Sequence, residues 1–201
     1  MKVFITPKIT TQNNYKSIEY SLETNWYKFA KKLNLELEII DIFDRERWPK
    51  GRQNIIFSGG NDLYKVNKTK INKLRDTSEY KFFKFCLRNK SNIIGVCRGL
   101  QLISSYYKSN IRKIDSHVRK NHYLKIENSE FISARKINVN SFHNYGIRKL
   151  KNIFNVVAKT PDGVIEIAEH KKQKILLMNF HPERTNKSQK LINQIVHNFF
   201  K

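Results

Sequence analysis

Cys97 stands between Gly95 and Gly99, and the resulting G-x-C-x-G is the thiol form of the G-x-S-x-G nucleophile elbow. A nucleophile held on a strained strand-to-helix turn needs uncrowded flanks, which glycine supplies. The same turn sets the sulfur at a helix N-terminus, where unpaired N–H groups favour thiolate over thiol. Alone, the pattern also suits a tight turn around a buried thiol. His181 and Glu183 add a second group, two residues apart across the stiff Pro182. In an extended segment both project to one side, so an imidazole can reach Cys97 while the carboxylate fixes its tautomer. Ser58-Gly59-Gly60 adds a third: consecutive glycines, Gly59 and Gly60, let backbone N–H groups turn into a cavity as an oxyanion hole. The partner donor would be the amide of Arg98, next after the nucleophile. The chemistry these residues suit is acyl transfer through a cysteine.

The elements around them must bring three loops together. Short apolar runs at 2–5, 35–40, 54–57 and 93–96 read as strands. Between them, helical spacing of apolar residues predicts helices over 17–33 (Ile18, Leu22, Trp26, Phe29, Leu33), 77–88 and 98–107. Cys86, in the second of these, reads as inert core packing. Strands alternating with helices argue for an open, mostly parallel α/β sheet flanked by helices, a flavodoxin-like sandwich. Beyond Ser109 the pattern changes to strands at 122–126, 136–139, 155–158, 163–168 and 175–180, a smaller antiparallel region, before a closing helix at 188–200. The loops after 54–57, 93–96 and 175–180 carry the unusual residues, at strand ends where such sheets place their sites. No repeat or linker divides the chain, so residues 1–201 are expected to form a single catalytic domain.

Composition narrows the function classes. The 201 residues are 39% hydrophobic and 12% aromatic, enough for one ample core. The N-terminal apolar run is too short for a signal peptide, and no stretch approaches the roughly 20 apolar residues of a membrane span. With only two cysteines, a cytoplasmic setting that keeps thiols reduced is the expectation. Lys and Arg total 39 against 17 acidic residues, a formal charge of +22. These charges are spread through the chain among many Asn and Ile residues, a pattern that AT-rich codons also produce. The expected partner is therefore a small molecule, anionic or not, with no nucleic acid and no membrane.

Five segments in order, Phe57-Ser58-Gly59-Gly60-Asn61-Asp62, Gly95-Val96-Cys97-Arg98-Gly99-Leu100-Gln101, Val139-Asn140-Ser141-Phe142-His143, Asp162-Gly163-Val164-Ile165-Glu166 and Asn179-Phe180-His181-Pro182-Glu183, resemble signatures of the class I glutamine amidotransferase superfamily. The Cys-Arg-Gly-Leu-Gln form is similar to its stand-alone, peptidase C26-like γ-glutamyl hydrolase branch. The resemblance implies a Cys97–His181–Glu183 triad that cleaves a γ-glutamyl amide through a thioester, without a cofactor or a metal. It further implies that Gln101 and the backbone around Ser141 and Phe142 hold the glutamyl head group. His143-Asn144-Tyr145 replaces a more usual His-His-Gln, so His143 is assigned to substrate binding on position alone. Ser58 stands where the family often has proline. His117, His122, His170 and His197 match no site signature and read as surface or core histidines.

The 201 residues contain no synthetase domain, which leaves several substrates. Overall character resembles hydrolases of γ-glutamyl-CDP-amidate (CDP-L-glutamine), which release cytidine diphosphoramidate for capsule modification. In that case some of Arg98, Arg119, Lys120, Asn144, Tyr145 and Arg184 would face the nucleotide. The alternatives are the glutaminase subunit of a two-chain amidotransferase, a hydrolase of γ-glutamyl amines, and a non-catalytic basic binding module.

Overall fold

The computed structural model describes residues 1–12 and 17–201. Its strands are β1 (Lys2–Ile5), β2 (Lys8–Gln12), β3 (Ser17–Ser21), β4 (Glu36–Ile39), β5 (Asn54–Phe57), β6 (Asn92–Val96), β7 (Arg112–Lys113), β8 (Val118–Lys125), β9 (Lys136–Phe142), β10 (Tyr145–Gly146), β11 (Phe154–Lys159), β12 (Ile165–His170) and β13 (Ile175–Met178). The helices are α1 (Thr24–Lys32), α2 (Lys70–Arg88), α3 (Arg98–Tyr106) and α4 (Gln189–Phe200). A seven-stranded sheet runs β11-β12-β13-β6-β5-β1-β4. From β13 to β4 every pairing is parallel, whereas β11 and β12 are antiparallel additions at one edge. Three two-stranded antiparallel sheets, β2–β3, β7–β10 and β8–β9, stand apart from it. The class is the open α/β sandwich expected from the sequence.

Alternation along the strands divides the core in two. Val3, Ile5, Ile56 and Ile94 face a cluster with Trp26 and Phe29 of α1 and Ile195 and Phe199 of α4. Phe4, Ile55, Phe57 and Ile93 face the other way, onto Phe82 and Phe83 of α2 and Leu100 and Ile103 of α3. Each central strand is thus buried on both faces, which is why these runs read as continuously apolar.

Two helices depart from expectation. The helix expected over 17–33 begins only at Thr24, and its first third is β3, paired antiparallel with β2. In Ser17-Ile18-Glu19-Tyr20-Ser21 period-2 alternation coexists with the helical spacing, and pairing with β2 decides for the strand. Ile18 is left exposed, and Glu23 is extended (φ −62°, ψ 132°) directly before the helix. The helix expected over 77–88 starts earlier, at Lys70, behind Thr69, whose side chain accepts from the Asn72 N–H. Its first two turns bury Asn72, Arg75 and Asp76, polar residues that conceal the apolar period.

The parallel strands place their C-terminal ends side by side. Thr6 follows β1, Ser58-Gly59-Gly60 follows β5, Cys97 follows β6, and the segment leading to His181 follows β13. β5 pairs with β6, and β6 with β13, so the three loops are neighbours by topology.

Candidate active site

Cys97 is the hinge between β6 and α3. Its backbone has φ 50° and ψ −101°, a conformation that L-residues rarely adopt and that costs on the order of 1–3 kcal/mol. The surroundings hold it there: the Cys97 N–H donates to the Met178 carbonyl at 2.7 Å, and the Cys97 carbonyl accepts from the Gln101 N–H. The elbow glycines are needed for close approach. A Cβ on Gly99 would lie 2.1 Å from the Phe57 carbonyl oxygen, and one on Gly95 2.9 Å from a Leu177 methyl.

His181 is buried beside the thiol. The position a Cβ on Gly59 would take is 2.9 Å from His181 Cε1 and 3.5 Å from Cys97 Cβ, so the glycine, the imidazole and the cysteine converge on one point. His181 Nδ1 is 2.6 Å from Glu183 Oε1, which leaves Nε2 for the sulfur side. Asn140 on β9 fixes this loop from behind: the His181 N–H donates to Asn140 Oδ1 at 2.9 Å, and Asn140 Nδ2 donates to the His181 carbonyl at 2.8 Å. Asn186 Nδ2 donates to the same carbonyl.

Electrostatics follow from this arrangement. Burial by itself would raise the Cys97 thiol, but the charge and hydrogen bond of His181, with the charge of His143, together outweigh it and hold the thiol below its ordinary value. Burial likewise opposes the His181 imidazolium, yet the Glu183 carboxylate and then Cys97 push it well above the usual histidine range. Both shifts favour a thiolate beside an imidazolium over the neutral pair.

The glycine loop is gripped by a buried arginine. Arg75 of α2 donates to the carbonyls of Ser58 (3.3 Å), Gly59 (3.2 Å) and Gly60 (2.6 Å). In a trans peptide the N–H points opposite to its carbonyl, so the amides of Gly59, Gly60 and Asn61 are turned away from Arg75. Arg75 also donates to Glu79, and Arg98 completes the set by pairing with Glu79 and Asp76. Burial works against the Glu79 carboxylate, but Arg75 and then Arg98 hold it below its ordinary value. The glycine loop, through Arg75, and the residue after Cys97 are therefore anchored to one shared carboxylate of α2, Glu79.

A cavity joins these parts. Gly60, Cys97, Gln101, Phe142, His143 and Tyr145 line it, with Arg184 at its margin. Gln101 Nε2 donates to the Tyr145 carbonyl at 3.0 Å. The Arg184 guanidinium pairs with Glu23 at 2.8 Å and lies over the Phe142 ring at 4.7 Å. A second hollow on the other side of His181 is bordered by Lys8, Trp26, Gly59 and Glu183. β2 comes to this edge because the Asn61 side chain makes two 3.1 Å hydrogen bonds with the Ile9 backbone.

With this geometry in place, the chain can be set beside known proteins. The peptidase C26 family matches residues 50–183. The chain is 30% identical over 194 residues, 92% of each chain, to the gamma-glutamyl-CDP-amidate hydrolase of Campylobacter jejuni subsp. jejuni serotype O:2. This chain belongs to the peptidase C26 family. A putative GMP synthase component from Thermoplasma acidophilum superposes with a TM-score of 0.72 at 18% identity, over 100% of this chain and 92% of the other. A glutamine amidotransferase from Thermotoga maritima gives 0.70 at 10% identity, over 98% and 95%. Membership makes the chain a hydrolase with the class I glutamine amidotransferase fold.

Within this peptidase C26 chain the sequence-assigned residues divide. Gly59, Cys97 and His181 converge, Glu183 contacts His181, and Gly60, Arg98, Gln101, Phe142 and His143 line the adjoining cavity. Ser141 is fully buried, its hydroxyl donating to the His117 carbonyl, and it does not line the cavity. The His143 imidazole is engaged by Glu166 at 3.1 Å. The Arg98 side chain cannot face a nucleotide: its guanidinium is buried against Asp76 and Glu79. Arg119 and Lys120 lie on β8 and do not line the cavity, whereas Asn144, Tyr145 and Arg184 do. Sequence reading missed Arg75, Glu79 and Glu23. The i, i+4 spacing of Arg75 and Glu79 was visible, but such a pair ordinarily marks a solvated helix face.

Proposed function

We propose that this chain hydrolyses a γ-glutamyl amide through a Cys97 thioester, with His181 as acid and base and Glu183 holding His181 in place. The observation that carries the reading is the left-handed Cys97, its thiol held below the ordinary value, beside an imidazole bonded to Glu183 at 2.6 Å. The thiolate attacks the γ-carbonyl, and the resulting oxyanion takes hydrogen bonds from the Arg98 amide and from the glycine-loop amides that Arg75 turns toward the cavity. His181 gives its proton to the leaving nitrogen, the C–N bond breaks, and the glutamyl group remains on sulfur. His181 then takes a proton from water, which attacks the thioester and releases glutamate. Gln101, Phe142 and His143 border the place for the glutamyl head. The 201 residues act as one catalytic domain, and a reducing cytosol keeps the thiol usable.

For the leaving group we propose cytidine diphosphoramidate, making CDP-L-glutamine the substrate and capsule modification the purpose. Support comes from the relative of that activity, matched over 92% of both chains, and from Asn144, Tyr145 and Arg184 in the lining of the cavity. The glutaminase reading draws on the GMP synthase fold neighbour, at 18% identity. Glutamate release from CDP-L-glutamine, L-glutamine and γ-glutamyl amines at matched concentration separates the readings. Preference for CDP-L-glutamine, absent in Cys97→Ala, is the expected result. Release from glutamine alone would shift the assignment to one half of a two-chain amidotransferase.

A further inference from the structure

We propose that His117, His122 and Glu166 form a binding site for one divalent transition-metal ion of the Zn2+ class, close to the thiol centre but outside its chemistry. His117 immediately precedes β8, His122 lies within it, and Glu166 is on β12. One ligating atom from each lies within 4.8 Å of the others. Three buried atoms of this group have no hydrogen-bond partner: His117 Nδ1, His122 Nε2 and Glu166 Oε2. His117 and Glu166 are buried from bulk solvent, and His122 is partly exposed and opens a path for an ion.

The protonation pattern sharpens the reading. His117 Nε2 is 3.3 Å from Asp162 Oδ2, and a carboxylate accepts, so Nε2 carries the proton and Nδ1 presents a lone pair. Asp162 is fixed in turn by Arg148 at 3.1 Å and by the Thr160 hydroxyl at 2.6 Å. A carboxylate backing an imidazole in this way is the usual outer support of a metal-bound histidine. The other Glu166 oxygen contacts His143 Nε2 at 3.1 Å and stands 3.8 Å from His117 Nδ1. The His117 Nδ1 lone pair and Glu166 Oε2 both lack a donor, and a cation shared between them would satisfy both. Two imidazoles and a carboxylate suit Zn2+, with a water as the fourth ligand, whereas Mg2+ and Ca2+ prefer all-oxygen sets. Zinc bonds of about 2.0–2.2 Å require ligand atoms to close to about 3.4 Å, a change within reach of side-chain rotation.

The ion would tie the β8–β9 ribbon to β12. The Ser141 hydroxyl donates to the His117 carbonyl, so the tie also steadies the strand end that borders the cavity. Its removal is expected to raise KM more than it lowers kcat.

Tag-free protein equilibrated with Zn2+ and gel-filtered should carry about one zinc per chain by mass spectrometry, in wild type and in Cys97→Ala alike. His122→Ala, at a partly exposed position, should keep its far-UV dichroism and lose the zinc. Asp162→Asn should weaken Zn2+ about 10–100-fold in competition with a chromophoric chelator. Absence of zinc in the wild type would overturn the proposal and leave a protonated imidazole as the bridging cation. Zinc retained by His122→Ala, or lost in Cys97→Ala, would overturn it equally, the latter by assigning the metal to the thiol.

Discussion

Cys86 and Cys97 are both buried, yet their surroundings drive their thiols in opposite directions. Cys86 lies within α2 in one apolar cluster with Phe82 and Phe83, where burial faces no charge, only a backbone hydrogen bond, and pushes the thiol far up. Cys97 also meets a burial penalty, but His181 and, after it, His143 reverse its sign, and the sulfur sits at the start of α3, which favours the thiolate too. Burial therefore does not decide reactivity. What decides it is whether positive charge shares the buried space, supplied here mainly by His181 in the loop after β13 and further by His143 after β9.

The largest test of this contrast is removal of each sulfur in turn. Cys97→Ala should lower turnover by about four orders of magnitude or more, since no other group can carry the acyl intermediate. Cys86→Ala should leave kcat/KM within about twofold while lowering stability by on the order of 1 kcal/mol from the small cavity. Equal losses from both substitutions would mean that the nucleophile assignment is wrong and that the fold alone is being measured.

A smaller effect probes how α2, which carries Cys86 at its inert end, contributes at its other end. Arg75→Lys keeps a cation beside Glu79 but cannot span the three carbonyls that the guanidinium holds. If those carbonyls fix the opposite-facing amides, kcat should fall about 10²–10³-fold, the usual cost of a lost oxyanion donor. Cys97 alkylation should stay close to wild type, because the thiol is set by His181. A parallel drop in both would instead mean that the buried charge network had come apart.

How far the sequence disclosed this site depends on the length scale of the interaction. Gly95, Cys97, Gly99, His181 and Glu183 were legible because each loop's demand is local: a turn, a flank, an i, i+2 pair. The apolar runs of β5, β6 and β13 likewise disclosed a sheet buried on both faces. Arg75, Asp76 and Glu79 were not legible, because polar residues on a helix read as its solvated side until a partner such as Arg98 is brought over them. β3 was misread for a related reason. Its apolar spacing fits two periods, and only the distant β2 decides between them. His117 and His122 fall in no motif, and their proximity to Glu166 arises from tertiary packing between segments distant in sequence.

The finest test follows the pH dependence of alkylation by iodoacetamide. A thiol reacts as its thiolate, so its rate falls as pH drops through its own pKa. Since His181 holds Cys97 below the ordinary thiol value, its rate should persist on the acid side of a free cysteine control. Cys86, raised by burial, should stay unlabelled over the whole range until the protein unfolds. Glu183→Gln removes the first of the charges that push His181 up, so the imidazolium loses protons at lower pH and supports the thiolate less. The Cys97 profile should then move toward that of free cysteine, with turnover reduced but present because Glu183 orients rather than reacts. An unmoved profile in Glu183→Gln would show that α3 lowers the thiol without the imidazolium, and the contrast between the two cysteines would then rest on the helix terminus alone.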